Sequence, residues 1–215
     1  MKVFDWKECY KDQIGAAEEA VKVIKSGNSI FIGSACGEPQ HLVNALVEHS
    51  GHIHDVKILH LLTMGVAPYV EAKYRGRFQL NTFFVAKNVR EAISAGRADY
   101  TPIFLWDIPR QFESGRIPVD GTMISVSPPD EHGLCSLGVS VDITKSAVAN
   151  ANYVVAQVNA NMPRTHGSGF IHVNSIDMLV PHDEDVITVP PVPVDDTLRQ
   201  IGRNLARLVE DGSTI

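Results

Sequence analysis

The sequence lacks a basic excess, a long hydrophobic run and an apolar leader, and each absence excludes a class of protein. Its 215 residues include 19 Lys and Arg against 25 Asp and Glu, for a net charge of -6. Since nucleic-acid binding relies on clustered cations that neutralise phosphates, we expect no nucleic-acid partner. No stretch approaches the roughly 20 apolar residues of a membrane span, and residues 1–15 contain no secretory signal. We therefore expect no membrane association and a cytoplasmic location, with the mitochondrial matrix left open.

Cysteine is also scarce, and Cys9, Cys36 and Cys135 are widely separated. Their odd number and their spacing predict neither a disulfide framework nor a CxxC metal site. This use of cysteine is typical of a reducing compartment.

Familiar binding signatures are missing as well. The turn at residues 33–37 has GxxxG spacing, so it is not the GxGxxG fingerprint of a dinucleotide site, and it lacks the Lys of a phosphate-binding loop. His52 and His54 could lie on one side of a strand, but no further ligand at suitable spacing completes a metal site. We predict no metal and no bound cofactor.

The sequence does contain an alternation of short apolar runs and amphipathic stretches. With 44% hydrophobic and 20% charged residues, a globular core can form. The strand candidates are residues 29–32, 56–62, 78–85, 100–106, 119–126 and 153–158. The helix candidates are residues 15–25, 40–49, 69–74, 88–95, 107–115 and 143–149. This order predicts an α/β fold, with an open, mostly parallel sheet, helices on both faces and right-handed crossovers.

Local signals add detail to this prediction. Asp107 and Asp142 are the predicted caps of the last two helices, and Pro39 suits the first helical position of the helix at 40–49. Residues 130–140 are rich in turn-forming residues and predict a small hairpin.

Four turns follow strand candidates and are expected to meet at the carboxyl edge of the sheet, where open α/β folds bind ligands. They cover residues 33–39, 63–67, 127–138 and 159–169. The first is rich in small residues whose backbone N–H groups could bind a carboxylate or an oxyanion. The last carries amide, guanidinium, hydroxyl and imidazole groups, so we centre the predicted site on it.

Three polar residues in these turns have competing interpretations. Cys36 could be a nucleophile, but no His is placed as its base, and a small buried thiol is the preferred interpretation. The charge of Glu38 is favourable beside a helix start, which explains this residue without a catalytic role. Arg164 could pair with a substrate carboxylate or phosphate, or it could form a salt bridge with the acidic run at 183–185.

The end of the sequence changes character. Residues 188–194 have proline at three of seven positions and predict an extended connector. Residues 195–209 then carry apolar side chains at helical spacing. We expect a first domain at 1–187, and at 188–215 a connector with the first helix of a truncated second domain. The alternative is a terminal helix that folds back on the sheet.

Three longer stretches carry a family resemblance: GSACGEP at 33–39, ISVSPPDEHGLCSLGVSVD at 124–142 and NANMPRTHGSGFIHVNSID at 159–177. They resemble the acetyl-CoA hydrolase/transferase family, whose members include 4-hydroxybutyrate and acetate CoA-transferases, and looser similarity extends from about Trp6 to Arg203. The resemblance implies a CoA-transferase-like fold of the NagB/RpiA type with two related α/β domains, of which this chain is the first. It also implies that the substrates are an acyl-CoA, which brings coenzyme A as a thioester, and a short-chain carboxylate.

The chemistry that the resemblance implies is a ping-pong transfer. A glutamate attacks the acyl-CoA, forms a mixed anhydride and becomes a glutamyl-CoA thioester, from which an incoming acid takes the CoA. In the family this glutamate lies in the second domain, so we assign no catalytic residue to this chain and expect the chain alone to be inactive. An acyl-CoA hydrolase and a non-catalytic ligand-binding or oligomerisation module remain alternatives, and a homodimer is the default assembly.

This half is then expected to supply the wall that binds the acid. The predicted substrate-binding residues lie in three of the turns: Ser34, Ala35, Gly37, Thr63, Met64, Asn159, Met162, Arg164, Thr165 and His166.

Overall fold

A parallel sheet forms the centre of the protein, seen in a computed structural model that describes residues 4–214. Within these residues the strands are β1 (Ser29–Ile32), β2 (Val56–His60), β3 (Phe78–Thr82), β4 (Ala98–Tyr100), β5 (Gly121–Val126), β6 (Leu134–Ser136), β7 (Tyr153–Val158), β8 (Phe170–His172) and β9 (Met178–Pro181). Seven of them form one sheet in the order β4-β3-β2-β1-β5-β7-β9, and every neighbouring pair in it is parallel. The predicted open parallel sheet is confirmed.

Helices connect the strands. In the same part of the chain they are α1 (Trp6–Cys9), α2 (Ala17–Lys22), α3 (Gln40–Glu48), α4 (Arg90–Ser94), α5 (Ile108–Glu113), α6 (Thr144–Asn150) and α7 (Asp196–Ala206). Residues 69–74 are not a helix as predicted, because Pro68–Val70 and Ala72–Tyr74 form two separate 3-10 turns. The helix predicted at 15–25 covers only Ala17–Lys22.

The central strand shows why both faces of the sheet are covered. Successive side chains of a strand point to opposite faces. Ile30 and Ile32 therefore pack in one apolar cluster with residues of α2 and α3, while Phe31 packs in another with residues of α5 and α6. Burial on both faces explains why the strand reads as a continuous apolar run.

The strand predicted at 100–106 is largely wrong. β4 ends at Tyr100, and the N–H of Thr101 makes the last bond to the neighbouring strand, at 3.0 Å from the carbonyl of Thr82. The N–H of residue 102 would point to the open side of this edge strand, so proline there removes no bond to β3. Asp107 occupies the cap position of α5, but its side chain makes no capping hydrogen bond, so that predicted cap is also wrong.

The hairpin predicted within residues 130–140 is wrong as well. β6 pairs antiparallel with β8, a strand distant in sequence, with Leu134 opposite His172. The residues before β6 form a closed turn instead of a strand, because Oδ1 of Asp130 accepts from the N–H groups of His132 at 3.0 Å and Leu134 at 2.9 Å. The short β9, which the sequence did not indicate, completes the sheet beside β7.

At the starts of α6 and α3, the residues predicted from the sequence lie within one position of their predicted place. Oδ1 of Asp142 accepts from the N–H groups of Ile143 at 2.5 Å and Thr144 at 3.2 Å, so Asp142 bonds the start of α6, although Ile143 and not Asp142 occupies the cap position. Pro39 lies one position before α3, at its cap, where the prediction put it inside the helix.

Residues 188–214 stand away from the sheet. Every residue from 188 to 214 is exposed, including the apolar stripe of α7 at Leu198, Ile201 and Leu205. The alternative in which this helix folds back on the sheet is therefore wrong. Across residues 4–214, no helix is both long enough and apolar enough to cross a membrane.

Candidate functional site

The four turns of the predicted crevice follow β1, β2, β5 and β7. These strands are adjacent in the order β2-β1-β5-β7 and parallel, so their carboxyl ends form one edge of the sheet. A ligand crevice is expected at such an edge. The turns at 33–39 and 63–67 are joined directly by a bridge between Ala35 and Thr63.

Ala35 shows how tightly the first turn is held. Its φ of 50° lies in the left-handed region, which costs a residue with a Cβ about 1–2 kcal/mol. The N–H of Ala35 donates to the carbonyl of Leu62 at 2.7 Å, and this bond helps to fix the conformation. The same N–H is thereby occupied and is not available to an anion.

Ser34 and Gly37 complete the first turn from inside the protein. The hydroxyl of Ser34 lies 3.5 Å from Oδ1 of Asp142, and the N–H of Gly37 donates to the carbonyl of Ser34 at 3.0 Å. A Cβ on Gly37 would meet Cβ of Ser140 at 2.7 Å, so only glycine fits there. A carboxylate or oxyanion would have to bind other N–H groups of this turn.

The second turn borders an open cavity. Thr63 is buried, while Met64 is 39% exposed and faces the cavity together with Phe84. The cavity has a volume of about 690 Å³, which is within the usual range for small-molecule sites. Its lining is mainly apolar, with two cations among the residues: Leu62, Thr63, Met64, Phe84, Val85, Ala86, Lys87, Asn88 and Arg90.

Glu38 belongs to the first turn and bonds the second, and it is buried, so a favourable charge beside a helix start does not account for it. The residue is 3% exposed, and burial raises the pKa of its carboxyl to about 7 against the lowering effect of hydrogen bonds from Thr63 and Gly65. The sequence carries no local signal for this burial, because Glu38 precedes Pro39, the cap of α3, and helical spacing does not extend to it.

The third turn holds Asn159 and Met162 inside the protein. Oδ1 of Asn159 accepts from the N–H groups of Asn161 at 2.9 Å and Glu184 at 3.3 Å, and Nδ2 donates to the carbonyl of Glu184 at 2.9 Å. Met162 is buried, and a Cβ at Gly138 would collide with its Sδ. Both residues shape the turn, and the amide of Asn159 is bound to the segment that follows β9.

Arg164 braces two of the turns. Its Nη1 donates to Oγ of Ser127 at 3.2 Å and to the carbonyls of Pro128 at 3.2 Å and Leu134 at 3.0 Å, and its Nη2 pairs with Asp130 at 2.8 Å. Partial burial acts to raise the pKa of Asp130, but backbone N–H groups and the Arg164 charge hold it below its usual value. Of the two roles expected for this cation, these contacts favour holding the loop.

The salt bridge expected between Arg164 and the acidic run at 183–185 is wrong. The pairing of β6 with β8 brings the 127–134 segment to Arg164. The acidic run instead lies beside β7, where Oδ1 of Asp183 accepts from the N–H of Ala160 at 2.7 Å and Oε1 of Glu184 accepts from Nε2 of Gln157 at 2.5 Å.

Thr165 and His166 differ in their surroundings. The N–H of Thr165 donates to Oγ of Ser136 at 3.1 Å, and its hydroxyl donates to the carbonyl of Gly138 at 3.0 Å. His166 is exposed at the tip of the turn. Thr165 thus ties the third turn to the end of β6, and His166 remains open to a ligand or to another part of the protein.

Neither a metal cluster nor the cavity beside the starts of β3 and β4 alters this picture. No group of three or more His, Cys, Asp or Glu among residues 4–214 is arranged to hold a metal ion. A cavity of about 260 Å³ is lined by the starts of β3 and β4, and so lies at the opposite edge of the sheet.

Comparisons with known proteins agree with the geometry. Residues 1–191 match the family described as "Acetyl-CoA hydrolase/transferase N-terminal domain". The chain is 42% identical over 211 residues to 4-hydroxybutyrate coenzyme A transferase of Clostridium kluyveri, covering 98% of this chain and 49% of that protein. It is 38% identical to succinyl-CoA:acetate/propanoyl-CoA:succinate CoA transferase of Fasciola hepatica, covering 92% and 42%.

A solved structure extends the comparison to three dimensions. The crystal structure of 4-hydroxybutyrate CoA-transferase from Porphyromonas gingivalis matches with a TM-score of 0.81 and 30% identity, over 98% of this chain and 49% of that one. The chain spans about half the length of the curated relatives it matches.

Proposed function

Because the chain belongs to the acetyl-CoA hydrolase/transferase family as its N-terminal domain, we propose that it is the acid-binding half of a CoA-transferase. The enzyme would move CoA between an acyl-CoA and a short carboxylic acid such as acetate or 4-hydroxybutyrate. The observation that carries this proposal is the open apolar cavity beside Met64 and Phe84, at the carboxyl edge of the sheet. It suits a carbon chain, and the cations Lys87 and Arg90 among its lining residues suit an anionic substrate.

The covalent step belongs to a second domain in this proposal. There, a glutamate carboxylate attacks the thioester carbon, CoA leaves as a thiolate, and an acyl-glutamyl anhydride forms. The thiolate then attacks the glutamyl carbonyl, the first acid is released, and a glutamyl-CoA thioester remains. An incoming carboxylate runs the same two steps in reverse, which divides one difficult transfer into two easier ones.

The predicted residues of this half take two kinds of role. Met64 and Thr63 border the cavity and are proposed to contact the acid or acyl chain, and His166 is accessible to contact a substrate or the second domain. Ser34, Ala35, Gly37, Asn159, Met162, Arg164 and Thr165 are proposed to shape the edge around them. Their side-chain or backbone groups are bound within the protein, so they act on a substrate mainly by fixing the turns.

The proposal extends to the domain arrangement. Residues 1–187 would form the first domain, and residues 188–215 a connector and a helix that packs on the second domain. The exposed apolar stripe of α7 supports this arrangement, because such a stripe marks an interaction site. A homodimer of the two-domain protein remains the expected assembly.

The test is a transfer assay on the two-domain protein with acetyl-CoA and butyrate. We expect butyryl-CoA to form, with parallel lines in double-reciprocal plots, and no activity from this chain alone. Thiol release without added acid would instead indicate a hydrolase. No reaction under either condition would favour a non-catalytic binding module.

A further inference from the structure

Glu38 is a buried carboxyl at the crevice edge that the proposed function does not use. Its Oε2 accepts from the hydroxyl of Thr63 and from the N–H of Gly65 at 3.1 Å. Its Oε1 is buried and has no protein partner among residues 4–214. A glutamate is rarely buried to this extent without a pairing cation, and the described part of the chain offers it no ion pair within 4 Å.

Both bonds of Glu38 go to one short turn, residues 63–66. The same turn is fixed at two further points, where the N–H of Val66 donates to Oε1 of Gln40 at 3.1 Å and Nδ2 of Asn88 donates to the carbonyl of Gly65 at 2.6 Å. Asn88 is exposed and Gln40 is half-buried, whereas Glu38 holds the turn from within. The turn carries Met64, which faces the apolar cavity.

The space beside Glu38 decides how this residue can act. It borders an enclosed cavity of about 10 Å³, lined also by Cys36, Ser125, Asn159 and the 184–187 segment. A cavity of this size holds about one water molecule, so a carboxylic acid does not fit there. Glu38 therefore reaches a substrate only through the turn that it holds.

The groups that face Glu38 leave its charge without compensation. Glu184 approaches from the segment after β9 and raises the pKa of Glu38, while Tyr69 approaches from the 3-10 turn. The hydroxyl of Tyr69 bonds Nε2 of His60 at 2.5 Å, and burial lowers the pKa of His60 to about 3, so this pair supplies no cation.

We propose that Glu38 is a positioning residue that ties the turn at 63–66 to the turn at 33–39 and thereby sets the wall of the apolar cavity. The part of this inference that concerns substrate rests on the proposed function, because the wall discriminates between acids only if acids bind there. The wall would favour acids whose carbon chain is long enough to reach Met64.

The test compares Glu38→Ala, Glu38→Gln and the matched control Glu48→Gln in the two-domain protein at pH 6. Glu48 is an exposed carboxylate at the end of α3, the helix that follows Glu38. The first readout is amide hydrogen exchange of the peptide that contains Gly65. Glu38→Ala removes the acceptor of the Gly65 N–H, and we expect exchange to be faster by about fivefold, since a pKa of about 7 leaves the carboxyl mostly protonated at pH 6 and one neutral hydrogen bond is worth about that factor. Glu38→Gln keeps an acceptor oxygen and should restore most of the protection.

The second readout is the KM for two acids. In Glu38→Ala we expect the KM for butyrate to rise about tenfold and that for acetate by less than about twofold, because only the longer chain reaches the displaced wall. Unchanged exchange at Gly65 would overturn the positioning role, whatever the enzyme catalyses. Faster exchange with equal effects on both acids would overturn the role in the cavity wall.

The two readouts separate this inference from the proposed function. If the wild-type protein transfers no CoA, the proposed function fails, while hydrogen exchange still decides whether Glu38 holds the turn. If Glu38→Ala fails to fold by circular dichroism, Glu38→Met, which is closer to Glu in size and also lacks an acceptor oxygen, carries the exchange test against Glu48→Gln, and faster exchange at Gly65 supports the positioning role. Exchange in Glu38→Met as slow as in the wild type would contradict it.

Discussion

Replacing Glu38 by Gln gives the sharpest test of its buried carboxyl. The pKa of Glu38 rises from 4.5 to about 7 in the folded protein, chiefly through burial. The protonated form is therefore the better fit to the fold. Its contribution to stability is fully present below pH 4.5 and is lost as the pH rises through 7.

The magnitude follows from the two pKa values. A difference of one between the pKa of the folded and unfolded states corresponds to about 1.36 kcal/mol. Glu38→Gln has no carboxyl to ionise at this position. Between pH 5 and pH 8, the free energy of unfolding of the wild type is therefore expected to fall by about 2.5 kcal/mol more than that of Glu38→Gln. The contributions of all other titrating groups cancel in this difference, because the wild type and Glu38→Gln both contain them.

Urea unfolding at pH 5, 6, 7 and 8 measures this difference directly. Glu48→Gln removes an exposed carboxylate from α3 and keeps Glu38. Its free energy of unfolding is therefore expected to change with pH in the same way as that of the wild type. A wild-type curve parallel to that of Glu38→Gln across this range would refute the claim that Glu38 is buried and uncompensated.

The packing of the turns and the exposure of the last helix lead to three further predictions. Arg164→Lys should lower the free energy of unfolding by about 1–2 kcal/mol, because an ammonium cannot reproduce the guanidinium bonds to three acceptors and a carboxylate; an unchanged urea midpoint would contradict the bracing role. Gly138→Ala should lower the free energy of unfolding by about 2–4 kcal/mol, since the added Cβ meets Met162 and the backbone is left-handed. In the same assay Gly51→Ala should be nearly neutral, because a Cβ at Gly51 meets nothing within 4 Å. Leu205→Lys should reduce self-association of this chain in sedimentation velocity, because it interrupts the exposed stripe of α7; equal association of both proteins would place the contact elsewhere.

The parallel sheet could be predicted because its strands are buried on both faces and their sequences are continuous apolar runs. The strand at 29–32 is the clearest case, since all four of its residues are buried. The pairing of β6 with β8 could not be predicted, because it joins residues distant in sequence through a turn that local patterns interpret as a hairpin. The end of β4 could not be predicted from Pro102, because that position faces away from the neighbouring strand at the edge of the sheet.

The sequence predicted the location of the site in the fold better than it predicted the contacts of the residues there. The four turns meet at one edge because parallel strands end there, and that follows from the order of elements alone. The contacts of Arg164 depend on which loop the β6–β8 pairing brings to it, so Asp130 could not be chosen over the acidic run at 183–185. The burial of Glu38 could not be predicted, because the residue precedes the cap of α3 and bonds a turn that is distant in sequence.

The most direct test of the central claim is the intact mass of the two-domain protein after incubation with an acyl-CoA. A CoA-transferase that forms a glutamyl-CoA thioester should gain the mass of CoA less one water, and hydroxylamine or a second carboxylic acid should remove it. This chain alone should gain nothing under the same conditions. No adduct on the two-domain protein with any acyl-CoA would contradict the account of this chain as the acid-binding half of a CoA-transferase.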